Sequence, residues 1–330
     1  MLLEIKKYIT YIVYKMIAKK VKVIIDYDGT LTYEERYVAA LAKSALKDLA
    51  ENILKIPLEK LVKTYEQTKK RILKDPQNYS WTVDNVPACY AYEGALLTNT
   101  VTTQTLILEN KNFKKSVYDF YKNKKINYDP VVDCTNYLFH KHTHSLKPNF
   151  REKSKDVLIH FIEKEGIDPY ILTCSLADKV AKNLSQLGIG ANGFKDGFKY
   201  KVDIFDDTRQ YEMDSSWDYH FDHPKLGKIQ QIKANNGFSI DLRRPAYYER
   251  LKQIASDGSR IILTADMISL PGILPLLMGL DFILLKAVYT PKWAVDFVKA
   301  WDNGWVIDDI SELPGMVDRI MIKWFLKSQL

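Results

Sequence analysis

Two aspartates, Asp26 and Asp28, stand two residues apart in the string Val23-Ile24-Ile25-Asp26-Tyr27-Asp28-Gly29-Thr30-Leu31-Thr32. A carboxylate at Asp26 can attack phosphorus and form an aspartyl-phosphate, which splits one difficult hydrolysis into two displacements. Asp28 can protonate the departing alkoxide and later take a proton from the attacking water. Gly29 allows a sharp turn and the close approach of a phosphate, and the Thr30 hydroxyl with nearby amides can donate hydrogen bonds to it. An Asp-Gly pair alone marks an ordinary surface turn. The whole string carries two carboxylates out of a buried strand, and that points to phosphoryl transfer.

These side chains need a frame. Lys22 to Ile25 reads as a short, apolar parallel strand buried on both faces. Asp26 then falls at the strand's carboxyl end, where open α/β sheets bind their ligands. Residues 147–190 read as helix, strand, helix, with Pro148 before the first helix and Gly166 closing it. Their strand, Tyr170 to Leu172, delivers Thr173, with Ser175 close behind. A later strand, Arg260 to Leu263, leads to Asp266. Residues 33–146 are far too many for a loop and predict a separate lobe. Its first half, Glu34 to Lys74, has helical periodicity in Tyr37, Leu41, Leu46, Leu49 and Ile53, and Asn110 to Lys122 suggests another helix. Residues 191–243 form an irregular insertion, with a strand expected over Lys199 to Phe205.

The Asp26 string resembles the first motif, DxDGTxT, of the haloacid dehalogenase (HAD) superfamily, and the Thr173, Arg244 and Asp266 segments are similar to its later motifs. The resemblance implies an α/β fold: a Rossmann-like parallel sheet core over 21–32 and 147–330, with a mainly helical cap over 33–146. It implies that Thr173 binds a phosphate oxygen, with Ser175 as a rival. It also implies that Asp266 joins Asp26 and the backbone carbonyl of Asp28 in holding Mg2+, an ion suited to hard oxygen ligands. The chain departs from the family pattern twice. Four or five positions after Asp266 the family has a second acid, whereas Leu270 and Pro271 stand here, preceded by Ser269. Where the family has a lysine for phosphate, this chain has Arg244, and Lys228 is the rival. A further acidic pair, Asp308-Asp309, follows the apolar Trp305 to Ile307 and is expected to end an edge strand.

The activity implied is a magnesium-dependent phosphomonoester hydrolase, with a phosphorylated small molecule or a phosphoprotein as partner. The family also contains dehalogenases, mutases and phosphonate hydrolases. Asp28 argues against dehalogenation, because a departing halide needs no proton. Two alternatives stay open: a protein tyrosine phosphatase of the same fold, associated with a membrane, and a non-catalytic binding protein that keeps the fold. The second is motivated by Leu270 and Arg244.

Composition bounds these readings. With 330 residues, 46% hydrophobic and 27% charged, the chain can bury a core and a second lobe, which excludes a disordered protein. Three widely spaced cysteines imply no disulfide framework and fit a reducing, cytoplasmic compartment. Cys174 has Val180 rather than Arg six residues on, so it opens no Cys-based phosphate loop. The net charge of +7 is concentrated in residues 1–22, which hold six lysines against one acid. Residues 1–20 read as an amphipathic basic leader helix, with Ile5, Ile9, Ile12, Val13, Met16 and Ile17 on one face. Such a helix packs on the protein or lies peripherally on an anionic membrane. Its lysines interrupt any span across a bilayer, and it lacks a signal-peptide cleavage pattern. A similar stripe, Val317, Ile320, Met321, Trp324 and Phe325, closes the chain. No nucleic-acid motif accompanies the basic charge, so no such partner is expected. His140, His142 and His144 read as a polar hinge between cap and core. On a strand, three imidazoles at this spacing would share one face and could bind a transition metal.

Overall fold

The computed structural model describes residues 20–194, 197–217, 221–223, 227–234 and 237–327. The leader reading, apart from Lys20, lies outside the described residues. Among the described residues there are thirteen strands: β1 Val21–Asp26, β2 Ser80–Val83, β3 Val86–Tyr90, β4 Ile167–Leu172, β5 Ile189–Ala191, β6 Tyr200–Phe205, β7 Phe221–His223, β8 Gly227–Ile229, β9 Gln231–Lys233, β10 Ser239–Asp241, β11 Arg260–Ala265, β12 Asp281–Leu285 and β13 Gly304–Ile307. The helices of the cap are α1 Val38–Asp48, α2 Leu58–Lys74, α3 Ala95–Glu109, α4 Lys111–Tyr121 and α5 Pro130–His144. Those of the core are α6 Ser154–Glu163, α7 Ala177–Ser185, α8 Pro245–Ala255, α9 Ile273–Leu277, α10 Lys292–Lys299 and α11 Leu313–Lys327.

Seven strands form one parallel sheet in the order β13-β12-β11-β1-β4-β6-β5. β1 is buried along its whole length, so its residues alternate between two apolar layers. Ile24, with Leu263 and Leu284, packs under α8 and α10, where Leu251 and Phe297 meet them. Val23 and Ile25, with Ile262 and Ile283, pack under α6 and α11 against Phe161 and Val317. Lys22 is the one basic residue of β1, and its ammonium leaves the sheet to reach Ile254 O at 2.7 Å and Asp257 at 2.8 Å.

The chain leaves β1 for β4 on one side and returns to β11 on the other. β1 therefore sits where the strand order reverses, and the crevice beyond its carboxyl end is the usual ligand site of such sheets. The strand expected over Lys199 to Phe205 is β6, a full member of this sheet, so the region is less irregular than its composition suggests. Two short antiparallel ribbons, β7 with β8 and β9 with β10, make up much of the rest. β13 is the edge strand expected before Asp308-Asp309, and Asp309 caps the following turn by accepting from Ser311 N at 2.8 Å.

The cap is helical apart from the β2–β3 hairpin. Its centre is α3, whose residues 95–104 are all buried. Four threonines there donate back to the carbonyl four residues earlier, Thr98 to Gly94, Thr100 to Leu96, Thr102 to Thr98 and Thr103 to Asn99. Those bonds satisfy hydroxyls that burial would otherwise strand, so a threonine-rich helix can form the middle of a lobe. Among the described residues, no helix is long and apolar enough to cross a membrane.

Candidate active site

The site is assembled at the carboxyl ends of β1, β4 and β11. Asp26 ends β1 and is 6% exposed, and Asp266 follows β11, which is hydrogen-bonded directly beside it. Thr30 ties the two together: its hydroxyl lies 3.4 Å from Asp26 Oδ2 and 3.4 Å from Asp266 Oδ1, and it accepts from Asp266 N at 3.0 Å. Gly29 makes the turn possible. Its φ is +78°, and a Cβ there would sit 2.1 Å from Asp266 Oδ2, so any side chain would fill the space the carboxylates face.

Burial, and after it the charges of Asp266 and Asp28, push the Asp26 carboxyl well above its usual range. Burial likewise raises Asp266, against the opposing pull of Arg151. Arg151 donates to Gly29 O at 2.7 Å, which pins the turn from behind. A third buried carboxylate, Glu34, is also raised, first by burial and then by Asp266, and accepts from Leu96 N at 3.1 Å. Carboxylates held this close repel one another unless a cation stands among them.

Asp28 turns to the other side of Asp26. It accepts from Ser175 Oγ at 3.0 Å and from Tyr37 OH at 3.4 Å, and Lys179 Nζ lies 3.9 Å away. Lys179 in turn donates to Ser175 Oγ at 2.9 Å. The sequence reading missed Lys179. Thr173, 1% exposed, lies at the end of β4, and its hydroxyl accepts from Ser175 N at 3.0 Å. Asp26, Asp28, Thr173 and Glu34 line one cavity between core and cap, enclosing about 640 Å³ of space that is partly open to solvent.

Arg244 does not reach this cavity. It is fully buried, and its guanidinium donates to the carbonyls of Asp241 at 3.2 Å, Gln210 at 2.6 Å and Ala88. The expectation that Arg244 grips phosphate is therefore corrected: three backbone carbonyls already hold its donors, and it locks the cap hairpin to the core. The rival, Lys228, lies on β8, opposite Asp222 in a ribbon separate from the seven-stranded sheet. The cation beside Asp28 is Lys179.

The place of the second acid is also explained. Ser269 N donates to Glu93 Oε1 at 3.1 Å, and Glu93 Oε2 accepts from Tyr90 N at 3.0 Å, so a cap carboxylate clamps this loop. Leu270 then packs with Trp81, Leu97 and Met213. An acid at Leu270 would face an apolar wall.

The three histidines are not on a strand. They lie on α5, where a spacing of two turns His142 away from the side that His140 and His144 share, so the three cannot meet on one face. His142 Nε2 is 3.0 Å from Asp48 Oδ2, His144 is exposed, and His140 lines the cavity. The shared metal-binding face expected on a strand is therefore absent. Burial, then Lys179, holds His140 below the usual imidazole range, which favours the neutral ring.

Among the described residues, no three His, Cys, Asp or Glu side chains converge closely enough to hold an ion by themselves. The donor set nevertheless fits Mg2+, which is commonly held by one or two carboxylates together with waters and substrate phosphate. Asp26 and Asp266 supply two hard oxygen donors whose mutual repulsion a divalent cation would relieve, and Gly29 leaves the space beside them clear.

No family model matches the chain, and no curated protein matches it. Among solved structures it is similar to YfnB from Bacillus subtilis, described as a HAD-hydrolase bound to magnesium, at 14% identity and a TM-score of 0.38, covering 91% of this chain and 99% of that one. It is similar to 2-haloacid dehalogenase from Pseudomonas syringae pv. Tomato at 14% identity and a TM-score of 0.38, over 91% of this chain and 99% of the other. It is also similar to CbbY from Rhodobacter sphaeroides in complex with phosphate, at 13% identity and a TM-score of 0.35, over 88% and 95% of the two chains. The α/β fold is established by the chain's own strand order and register.

Proposed function

We propose that this protein is a magnesium-dependent phosphomonoester hydrolase that works through an aspartyl-phosphate on Asp26. The observation that carries the proposal is the division of the two motif carboxylates. Asp26 faces Asp266 and Thr30 on the metal side, while Asp28 is held on the other side by Ser175 and Tyr37, where a leaving group would depart.

In the first step an Asp26 oxygen forms a bond to phosphorus as the bond from phosphorus to the ester oxygen breaks, and Asp28 gives its proton to that oxygen. In the second, water attacks phosphorus, Asp28 takes its proton, and the bond from Asp26 to phosphorus breaks to release inorganic phosphate. Ser175 and Tyr37 fix the direction of the Asp28 carboxyl, and Lys179 supplies positive charge beside it. The hydroxyls of Thr30 and Thr173 and the amides of the turn after Asp26 would donate hydrogen bonds to the phosphate. Mg2+, held by Asp26, Asp266 and the Asp28 carbonyl, would neutralise phosphate charge and orient it for in-line attack.

The test is hydrolysis of p-nitrophenyl phosphate with and without Mg2+. Asp26→Asn is expected to lower turnover on the order of 10⁴-fold or more, as loss of a nucleophile does. Chelation of the metal should abolish wild-type turnover, and adding it back should restore the rate. Equal rates for the wild type and Asp26→Asn would sink the mechanism. A well-folded wild type without turnover would favour the binding-protein reading.

A further inference from the structure

The cavity over Asp26 has a polar floor and an apolar, aromatic roof. Trp81 and Tyr211 pack with ring centroids 5.1 Å apart at 35°, and both line the cavity together with Phe139, Leu97, Met267 and Leu270. Among its described lining residues there is no lysine or arginine, and the acids belong to the floor or to Glu34 at its edge. A sugar or a second phosphate would bring many hydroxyls or a charge against surfaces unable to pair with them, and unpaired polar groups in such a place are costly.

Thr100 and Gln210 also line the cavity, but their side chains are engaged within the protein, Thr100 donating to Leu96 O at 3.2 Å and Gln210 Nε2 to Thr208 Oγ1 at 2.9 Å. The Asn136 amide is joined to Tyr211 OH at 3.2 Å through Nδ2, while Oδ1 is buried without a protein partner. His140, on the next turn of α5, lines the same cavity. A ligand here would therefore meet apolar walls and rings on several sides, with the unpartnered Asn136 Oδ1 able to accept from one hydrogen-bonding group.

We infer that the alcohol released by this site is a small, ring-bearing apolar molecule, so that the substrate class is a compact aryl or arylalkyl monophosphate. This deepens the phosphatase reading and rests on it. The cap closes over a nucleophile that is 6% exposed, which favours a small molecule over a phosphorylated side chain on a folded protein. Leu270 gives the missing second acid a purpose: the position has become part of the wall that receives the leaving group.

The test compares substrates whose leaving groups are intrinsically alike. Benzyl phosphate, glucose 6-phosphate and glycerol 3-phosphate all release primary alcohols, so differences in kcat/KM report recognition rather than reactivity. Acetyl phosphate serves as the general probe of turnover, and a phosphotyrosine peptide probes the protein-substrate class. The full chain with Mg2+ is expected to favour benzyl phosphate over both polar esters by at least about 10-fold, the scale on which apolar pockets discriminate. Leu270→Asn should reduce that preference by about 10-fold. Trp81→Leu gives a second measurement of the same ratio should Leu270→Asn fail to fold, and the wild-type panel is independent of both. Equal or better use of the sugar phosphate, or of the peptide, would overturn the inference while leaving the phosphatase reading intact. Absence of turnover on every probe, acetyl phosphate included, would overturn both.

Discussion

The floor of the cavity comes from Asp26 and Asp28 at the end of β1 together with Thr173, with Asp266 tied beside them through Thr30, whereas its roof is gathered from three stretches of the cap, at Trp81, at Leu96 to Thr100 and at Asn136 to His140, and from Tyr211, Met267 and Leu270 of the core. The floor is acidic and tied by short-range hydrogen bonds through Thr30, and its shape depends on one glycine with a φ of +78°. The roof is apolar and held by packing between α3, α5 and the β2–β3 hairpin. A tight local turn tolerates little change, so the floor can carry only one kind of chemistry. A packed wall can exchange side chains of similar volume at low cost, so the roof can set which alcohol is accepted. In this molecule the division extends to the loop after Asp266, where Asp266 serves the floor and Leu270 the roof.

The sharpest way to break that division is to remove Asp28, the floor residue proposed to meet the leaving group. Asp28→Asn is expected to lower kcat/KM for benzyl phosphate by about 10²–10⁴-fold, the usual contribution of general acid–base catalysis. The loss with p-nitrophenyl phosphate should be smaller, because nitrophenolate departs without a proton. Equal losses on both esters would assign Asp28 to binding or folding instead.

Arg244 tests the boundary from the opposite side. Its guanidinium joins the β2–β3 hairpin of the cap to the loops at Gln210 and Asp241. Lysine keeps the charge but lacks the planar fork that spans three carbonyls. Arg244→Lys should therefore lower stability by about 1–3 kcal/mol in urea unfolding, the cost of leaving buried polar groups unpaired. KM for benzyl phosphate should stay within about twofold of wild type, since the side chain touches no part of the cavity. A large rise in KM at unchanged stability would return Arg244 to the phosphate.

These two residues also show how far the sequence can be read. Asp26, Asp28, Gly29 and Thr30 were legible because their chemistry depends on spacing along one chain segment, and the strand before them has a pattern only a buried strand needs. Asp266 was legible because a second apolar strand delivers it. Arg244 was misplaced because its type fits both a phosphate and a set of carbonyls, and only the fold decides which it meets. Glu34 and Lys179 were missed for a related reason. One lies just after the motif at the entry to a cap, the other on a helix face, and nothing local marks either as facing Asp28 or Asp266. The histidines of α5 misled because an alternation of two has meaning on a strand and none on a helix. The roof was the least legible part, since its rings come from segments that only tertiary packing brings together.

The smallest expected effect lies in the cap behind the roof, at Asp48, which ties α5 to α1. Its Oδ2 is 2.8 Å from Lys141 Nζ and 3.0 Å from His142 Nε2, and Asn52 donates to Oδ1 at 2.7 Å. Burial alone would raise this carboxyl, but the hydrogen bonds from Lys141, Asn52 and His142 outweigh it and hold Asp48 below the usual carboxylate range. A depressed folded-state value contributes stability above the unfolded value, near pH 4, and loses it as pH falls through the folded one. Asp48→Asn should thus cost about 1–2 kcal/mol at pH 7, with the half-exposed Lys141 partner keeping the figure low. The gap between variant and wild type should begin to narrow as pH drops below about 4, where the unfolded wild type takes up its proton, and close once pH falls below the folded value, where both carry a neutral side chain. Thermal melts of the two proteins from pH 7 to pH 3 measure that gap directly. A constant gap would mean that Asp48 holds α5 by shape rather than charge. A gap that closes would show the roof anchored electrostatically at a point remote from the apolar wall it presents to the substrate.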